Sequence, residues 1–277
     1  MNIGDIVARD SHSQDMIFRI MQIEDRQNKN SRAVLKGLNL RLVADAPLND
    51  LVLQKPRDIT QYQREDVREI YRKLHKVLDC RKSMPEEQSE YFDIPGRVLH
   101  LDGDEDYLKQ CIKTYRQMGL QAVGICKSES EQPKAIYKIL QENPTDILVL
   151  TGHDGFIRGK KNFRSMDSYR SSRYFVDSVK EARRFQSNKD NLVIFAGACQ
   201  SNYEAILEAG ANFASSPKRT MIHAFDPVFI VERIAFTPVD QMISLKEVLM
   251  HTVTGEDGVG GIQTKGQLRK GYPRSPY

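Results

Sequence analysis

The feature that most constrains this chain is a strand-and-helix rhythm starting near residue 97, in which two apolar runs end on a glycine followed by a reactive side chain. Residues 147–150 (ILVL) and 192–196 (LVIFA) are short, aliphatic and bounded by turn formers, which predicts buried parallel strands. The first run stops at Gly152 and presents His153; the second stops at Gly197 and presents Cys199. The same alternation predicts strands over 98–101 and 121–126, and helices over 105–118, 132–141, 174–185 and 203–209. Strands joined through helices by short turns form βαβ units, and their right-handed crossovers make the sheet parallel. A residue just past such a strand lies where open α/β sheets place their chemistry. His153 and Cys199 are 46 residues apart, so they meet only if their strands are neighbours.

Ahead of this rhythm, apolar stretches at 3–8, 18–23, 33–35 and 38–44 alternate with turns, and the polar run 25–32 suits a hairpin connection. Residues 1–47 are therefore expected to form a small SH3-like β-barrel. Residues 48–95 are expected to be a helical linker, because Val67, Ile70, Tyr71, Leu74, Val77 and Leu78 recur at helical spacing and an acidic stretch then closes at Pro95-Gly96. His75 and Cys80 lie on or beside that helix and are read as structural. Residues 96–277 make up the α/β domain, with apolar runs at 211–214 and 220–225, helices over 229–234 and 242–250, and a glycine- and proline-rich tail from Thr254 expected to be a flexible strap. Asp104, in the acidic turn 101–106, is placed to cap the helix that follows. The basic, aperiodic stretch 158–173 is expected to be a mobile loop over the site.

Composition narrows the function classes. The 277 residues carry a net charge of +4, too mild to point to nucleic acid, and the absence of tryptophan argues against a base-stacking platform. No run approaches a membrane span, and the N-terminus lacks the apolar core of a signal peptide, so a cytoplasmic protein is expected. Cys80, Cys111, Cys126 and Cys199 have no paired spacing, so no metal site or disulfide framework is expected and Cys199 is free to react. Cys111 and Cys126 read as inert core thiols.

A thiol attacks a carbonyl as thiolate. The start of the predicted helix after Cys199 and a proton acceptor in His153 both favour that form at neutral pH. The backbone N–H groups of Gly155 and Cys199 are the candidate oxyanion hole. Glu204 and Asp226 are candidates to orient the imidazole, while Asp154 is adjacent but normally points away. No metal or organic cofactor is required.

The order of His before Ala-Cys, about 50 residues apart, matches the arrangement of histidine and cysteine in caspase-like enzymes. The blocks LVLTGHDG (148–155) and FAGACQSNYEAILEAGANFASSPKR (195–219) look like those of the caspase, legumain and gingipain group, though Asp154 intervenes where that group has His-Gly directly. With GDIVAR near the N-terminus and LHLDGD at 99–104, nearly the whole chain resembles the YabG family of sporulation-specific cysteine proteases of spore-forming Firmicutes. The resemblance implies a caspase-like parallel sheet flanked by helices. It implies an endopeptidase that cleaves spore coat and cortex-related proteins after arginine and cleaves itself, with His153 as base and Cys199 as nucleophile. It also implies a protein of the sporulating mother cell associated with the forming spore coat, with no membrane or nucleic-acid partner expected. An arginine pocket needs a carboxylate, and Asp102, Asp104, Asp154 and Asp226 are the candidates near strand ends. Arginines of 158–173 and Arg183-Arg184 are candidate self-cleavage sites. Two rivals remain: a non-catalytic flavodoxin-like binding module in which Cys199 is structural, and a thiol amidase acting on small molecules.

Overall fold

A computed structural model describes residues 1–24, 31–82 and 90–275, with the side chains of 80–82 outside that description. The region from residue 97 forms a six-stranded sheet covered by helices on both faces. N-terminal to it lies a five-stranded antiparallel sheet.

The N-terminal sheet comprises β1 (Ile6–Arg9), β2 (Ile17–Glu24), β3 (Arg32–Gly37), β4 (Val43–Pro47) and β5 (Leu51–Leu53), in the order β4-β3-β2-β1-β5. Among the described residues no pairing of β4 with β5 closes it into a barrel, and β5 falls beyond residue 47, inside the segment expected to be a linker. The connection expected at 25–32 joins antiparallel strands β2 and β3, but most of it lies outside the described residues. Alternation along the strands turns Val7, Phe18, Ile20, Ala33, Leu35 and Ala46 inward to one small core.

Helix α1 (Pro56–Lys82) follows. It buries Ile70, Leu74 and Val77, spaced i, i+4, i+7, against the main sheet's helical layer, while Val67 and Tyr71 stay exposed because the apolar stripe is narrower than the sequence pattern suggested. His75 is exposed, and Cys80 lies outside the described side chains. Most of the expected linker's acidic stretch, residues 83–89, is likewise outside the description; β6 (Phe92–Ile94) follows it.

The main sheet is built in chain order from β7 (Val98–Asp102), α2 (Glu105–Gln117), β8 (Ala122–Cys126), α3 (Gln132–Glu142), β9 (Ile147–Thr151), α4 (Ser172–Phe185), β10 (Val193–Ala196), α5 (Tyr203–Glu208), β11 (Phe213–Ser215), α6 (Asp226–Phe236), α7 (Leu245–His251) and β12 (Val259–Gly261). Its order is β12-β11-β10-β9-β7-β8, parallel except for β12. Alternate side chains of each strand feed opposite layers. Val98, Val149 and Phe195 pack under α1, α2, α6 and α7, while Leu99, Leu150 and Ile194 pack under α3, α4 and α5. Burying an aliphatic or aromatic side chain of this kind contributes about 1.5–3 kcal/mol, which is why these runs read as continuous apolar strands.

Three expectations are corrected. The tail from Thr254 is not a loose strap, because β12 joins the main sheet and β13 (Arg269–Gly271) pairs with β6. Cys126 is exposed rather than buried, since β8 is the edge of the sheet. The segment after His153 is tethered: Phe156 bridges Tyr169, stacks on Phe163 at 4.5 Å between ring centres, and is followed by an Arg170–Asp45 ion pair of 2.8 Å.

Candidate functional site

The strand order places a switch in winding direction between β7 and β9, where a crevice opens beyond the carboxyl ends of the strands. The loops after β7, β9 and β10 converge there. β9 and β10 are parallel neighbours, with Leu150 opposite Ala196, so the condition for bringing the His153 and Cys199 loops to one rim is met. Gly197 makes the turn after β10 with φ +112°, a backbone state that side chains other than hydrogen rarely adopt.

His153 lies between two carboxylates. Its Nε2 is 3.2 Å from Asp104 Oδ2 and its Nδ1 3.8 Å from Glu129 Oε1, while its backbone N–H donates to Glu129 Oε1 at 2.6 Å. The ring also lies 5.9 Å from that of Tyr107. Burial alone would push the imidazole pKa down, but the two carboxylates outweigh it and hold the pKa above its ordinary value. Asp104 is pulled down to about 2: burial opposes ionisation, and His153 and Lys36 overcome it. Lys36 Nζ approaches Asp104 Oδ2 to 2.5 Å, and Asp104 Oδ1 accepts from the N–H groups of Asp106 and Tyr107, capping α2 as the sequence suggested.

Glu129 escaped the sequence reading. It sits in an ordinary polar turn after β8, and its one signature is indirect. A Cβ at Gly103 would lie 2.3 Å from its Oε1 and one at Gly152 would lie 2.2 Å away, so two glycines leave the space through which it reaches the histidine loop. The candidates proposed to orient the imidazole are committed elsewhere. Glu204 pairs with Arg219; Asp226 accepts from His223 N–H, Val253 N–H and the Thr254 hydroxyl. Asp154 turns away from the imidazole and gathers Gly155 N–H (2.8 Å), Ser171 N–H (2.8 Å), the Ser172 hydroxyl and the Ser201 hydroxyl (2.9 Å). It thereby ties the loops of His153 and Cys199 to the start of α4, and burial raises its pKa despite those donors.

Cys199 is wholly buried, in an apolar cluster with Leu42, Ile222 and residues of the N-terminal sheet. Its thiol donates to Ile222 O at 3.6 Å and its sulfur accepts from Ile222 N–H at 3.2 Å. Burial pushes the thiol pKa up to about 12, so the neutral-pH thiolate expected from sequence is not the state of this arrangement. The helix credited with lowering it has only six residues, begins at Tyr203 rather than directly after Cys199, and is capped by Asn202, whose side chain accepts from Ala205 N–H.

Both candidate oxyanion donors already have acceptors. Gly155 N–H faces Asp154, and Cys199 N–H donates to the carbonyl of Arg41 at 3.3 Å. Arg41, which the sequence reading passed over, is fully buried. Its Nη1 donates to Asp102 Oδ2 at 2.7 Å, and its Nη2 donates to Ala224 O at 3.1 Å and to Cys111 Sγ at 3.8 Å. Burial would push the Asp102 carboxyl up, yet Arg41 and His100 hold it well below the carboxylate range. Of the four proposed arginine-selecting carboxylates, Asp102 is thus the one that grips a guanidinium, while Asp104, Asp154 and Asp226 serve His153 and Lys36, the serine cluster and the Thr254 turn. Among the described residues no group of three or more His, Cys, Asp or Glu is arranged to hold a metal, and no helix is long and apolar enough to cross a membrane.

Comparison with known proteins points to a peptidase. A family profile described as YabG peptidase U57 matches residues 2–273. The chain belongs to that peptidase family. It is 44% identical over 284 residues, covering 98% of this chain and 97% of the other, to a Bacillus subtilis (strain 168) protein described as sporulation-specific protease YabG. For a member of a peptidase family a non-catalytic binding module is not favoured.

Proposed function

We propose that this chain is a sporulation cysteine endopeptidase that cleaves spore coat and cortex-related proteins after arginine, and processes itself, through a thioester on Cys199 with His153 as general base. The observation that carries the reading is the meeting of Cys199 N–H with a peptide carbonyl beyond the end of β10, beside the strand that delivers His153. In the reaction the Cys199 proton passes to His153 and the sulfur attacks the carbonyl carbon. His153 returns the proton to the leaving amine, and water then hydrolyses the thioester. Asp104 and Glu129 orient and charge-balance the imidazole. Cys199 N–H stabilises the oxyanion. The chemistry calls for no metal or cofactor.

The reading includes a caspase-like α/β peptidase domain over residues 96–277, supported by the strand order and the single antiparallel edge strand. It takes residues 1–47 as an SH3-like element and 48–95 as a linker. The pairing of β5 with β1 after a short 3-10 turn (Leu48–Asp50) supports the first of these and extends that element to β5. The reading puts the protein in the mother cell at the forming spore coat, with protein substrates and no membrane or nucleic-acid partner; the name of the Bacillus subtilis relative supports the sporulation setting alone.

The experiment is hydrolysis of a peptidyl-arginine substrate by wild type, Cys199→Ala and His153→Ala. Turnover by the wild type alone is expected; equal turnover by all three, or none by any correctly folded protein, refutes the reading.

A further inference from the structure

Residues 39–42 do not simply connect β3 to β4. They lie against residues 222–224 as a short added strand: Arg41 N–H donates to Ile222 O at 3.3 Å, Ala224 N–H donates to Asn39 O at 3.0 Å, and Leu40 and His223 form an antiparallel bridge. On the other side Leu42 bridges Asp154 in the loop that carries His153. The Tyr107 hydroxyl donates to the carbonyl of Gly37, and the Arg41 guanidinium lies 5.3 Å from the centre of its ring, fixing the turn that leads into this strand. Peptides bind clefts in this manner, with main-chain bonds along an exposed edge and a side chain in a pocket between them.

We propose that residues 39–42 occupy the peptide cleft as the chain's own first substrate, with Arg41 in the specificity pocket, Asp102 as the carboxylate that selects it, and Arg41–Leu42 as the bond offered to Cys199. This rests on the cysteine-peptidase reading above and names its specificity residue and its first cut. Three independent contacts meet on one residue: the side chain is paired with a carboxylate at the end of β7, the N–H with Ile222, and the carbonyl with the N–H of the nucleophile's own residue. A pair serving only to fasten the N-terminal sheet to the main sheet would need the first contact but not the third. Cleavage there forms a bond from Cys199 sulfur to the Arg41 carbonyl carbon and breaks the bond to Leu42 N, which takes the proton from His153. Water then adds hydroxyl to the acyl group and returns a proton to the sulfur. Beyond Leu42 the cleft continues as a cavity of about 560 Å³ lined by Val43, Gly155, Phe156, Arg170 and Gln200, room for residues that follow the cut.

The test uses the full-length chain. Wild type and Cys199→Ala are incubated and read by intact mass and N-terminal sequencing. Hydrolysis of a peptidyl-arginine amide is compared with that of its peptidyl-citrulline counterpart, which keeps the shape and lacks the charge, for Arg41→Met and for Arg41→Met/Asp102→Asn. The double change removes both charges, so neither is left buried alone. The expected result is a wild-type fragment that begins at Leu42, absent from Cys199→Ala and from Arg41→Met. With it comes a fall of about 100-fold or more in the arginine-over-citrulline preference when Asp102→Asn is added. A wild type that hydrolyses peptidyl-arginine yet stays intact after Arg41, an Arg41→Met variant still cut just before Leu42, or an unchanged preference in the double variant each overturns the inference. The fragment assay stands even if the double variant fails to fold. Cleavage of proteins only at residues other than arginine would instead refute the arginine specificity on which the inference rests.

Discussion

Arg41 and Arg183 are both drawn in from solvent, and they are held in opposite ways. Arg41 is fully buried against a carboxylate, Asp102, so that although burial opposes its charge the pKa is driven above its ordinary value. Arg183, half-buried on α4, donates only to neutral oxygens: the carbonyls of Gly210, Gln186 and Leu192 and the side chain of Asn212. Burial accordingly lowers its pKa to about 10. The contrast teaches which arginine is exchangeable. A carboxylate offers an incoming guanidinium the same bond it gives Arg41, whereas neutral oxygens at four separate places in the chain grip Arg183 as a splice between α4, β10 and the turn before β11. Arg183 and Arg184, two of the candidate self-cleavage sites, also lie inside α4, where the backbone is not extended for a protease cleft.

The largest expected effect tests whether the Arg41 end is the reactive one. Cys199→Ala should lower peptidase turnover by about 10⁴-fold or more, and His153→Ala by a comparable factor, because nucleophile and base act as a unit. Arg183→Met, by contrast, should leave the turnover of the remaining folded protein near wild type. Initial rates on a peptidyl-arginine substrate, normalised to active protein, decide this. A loss with Arg183→Met as deep as with Cys199→Ala would erase the distinction.

Stability should separate the two arginines next. Arg41→Met strands Asp102 as a buried charge and should cost about 3–5 kcal/mol, while Arg183→Met leaves neutral acceptors behind and should cost about 1–3 kcal/mol. Adding Asp102→Asn to Arg41→Met should recover most of the loss, a non-additivity expected only of partners in contact. Urea unfolding midpoints with a common slope supply the comparison. If Asp102→Asn fails to relieve Arg41→Met, the carboxylate is not what holds Arg41.

How much of this was legible beforehand follows from the range of the interactions. The sheet was legible because ILVL and LVIFA announce buried strands locally, and a glycine after each marks the place where the chain turns over the site. The Asp104 cap was legible because the N–H groups it accepts from lie two and three residues away. Arg41 was not, because its partner Asp102 is 61 residues distant and the run LNLRLV reads by itself as one more amphipathic strand. Glu129 was hidden for the same reason, its trace being the missing side chains of Gly103 and Gly152. The tail strands were hidden because Gly260 and Gly261 signal flexibility in sequence. In the fold they permit close approach: a Cβ at Gly261 would come within 2.5 Å of the Phe213 ring.

The smallest expected effect distinguishes the two carboxylates at the end of β7, one gripping an arginine and the other the histidine. Asp104 titrates at about 2 when folded, against an ordinary 3.8, so its contribution is present above about pH 4 and is lost as pH falls through the folded value. That amounts to about 2 kcal/mol over the window from pH 4 to pH 2. His153 has the opposite sign: its raised pKa stabilises the fold below its ordinary value of 6.5, and the benefit disappears as pH rises through the higher folded one. Asp104→Asn keeps a capping side chain for α2 and removes the charge that both shifts share. It should therefore flatten the stability curve between pH 4 and 2 and bring the imidazole pKa back toward 6.5. Urea titrations across pH 2–8, with the imidazole followed by NMR, measure the two together. A flattened acid limb with an unmoved imidazole would show that Asp104 acts through Lys36 and the helix rather than through His153.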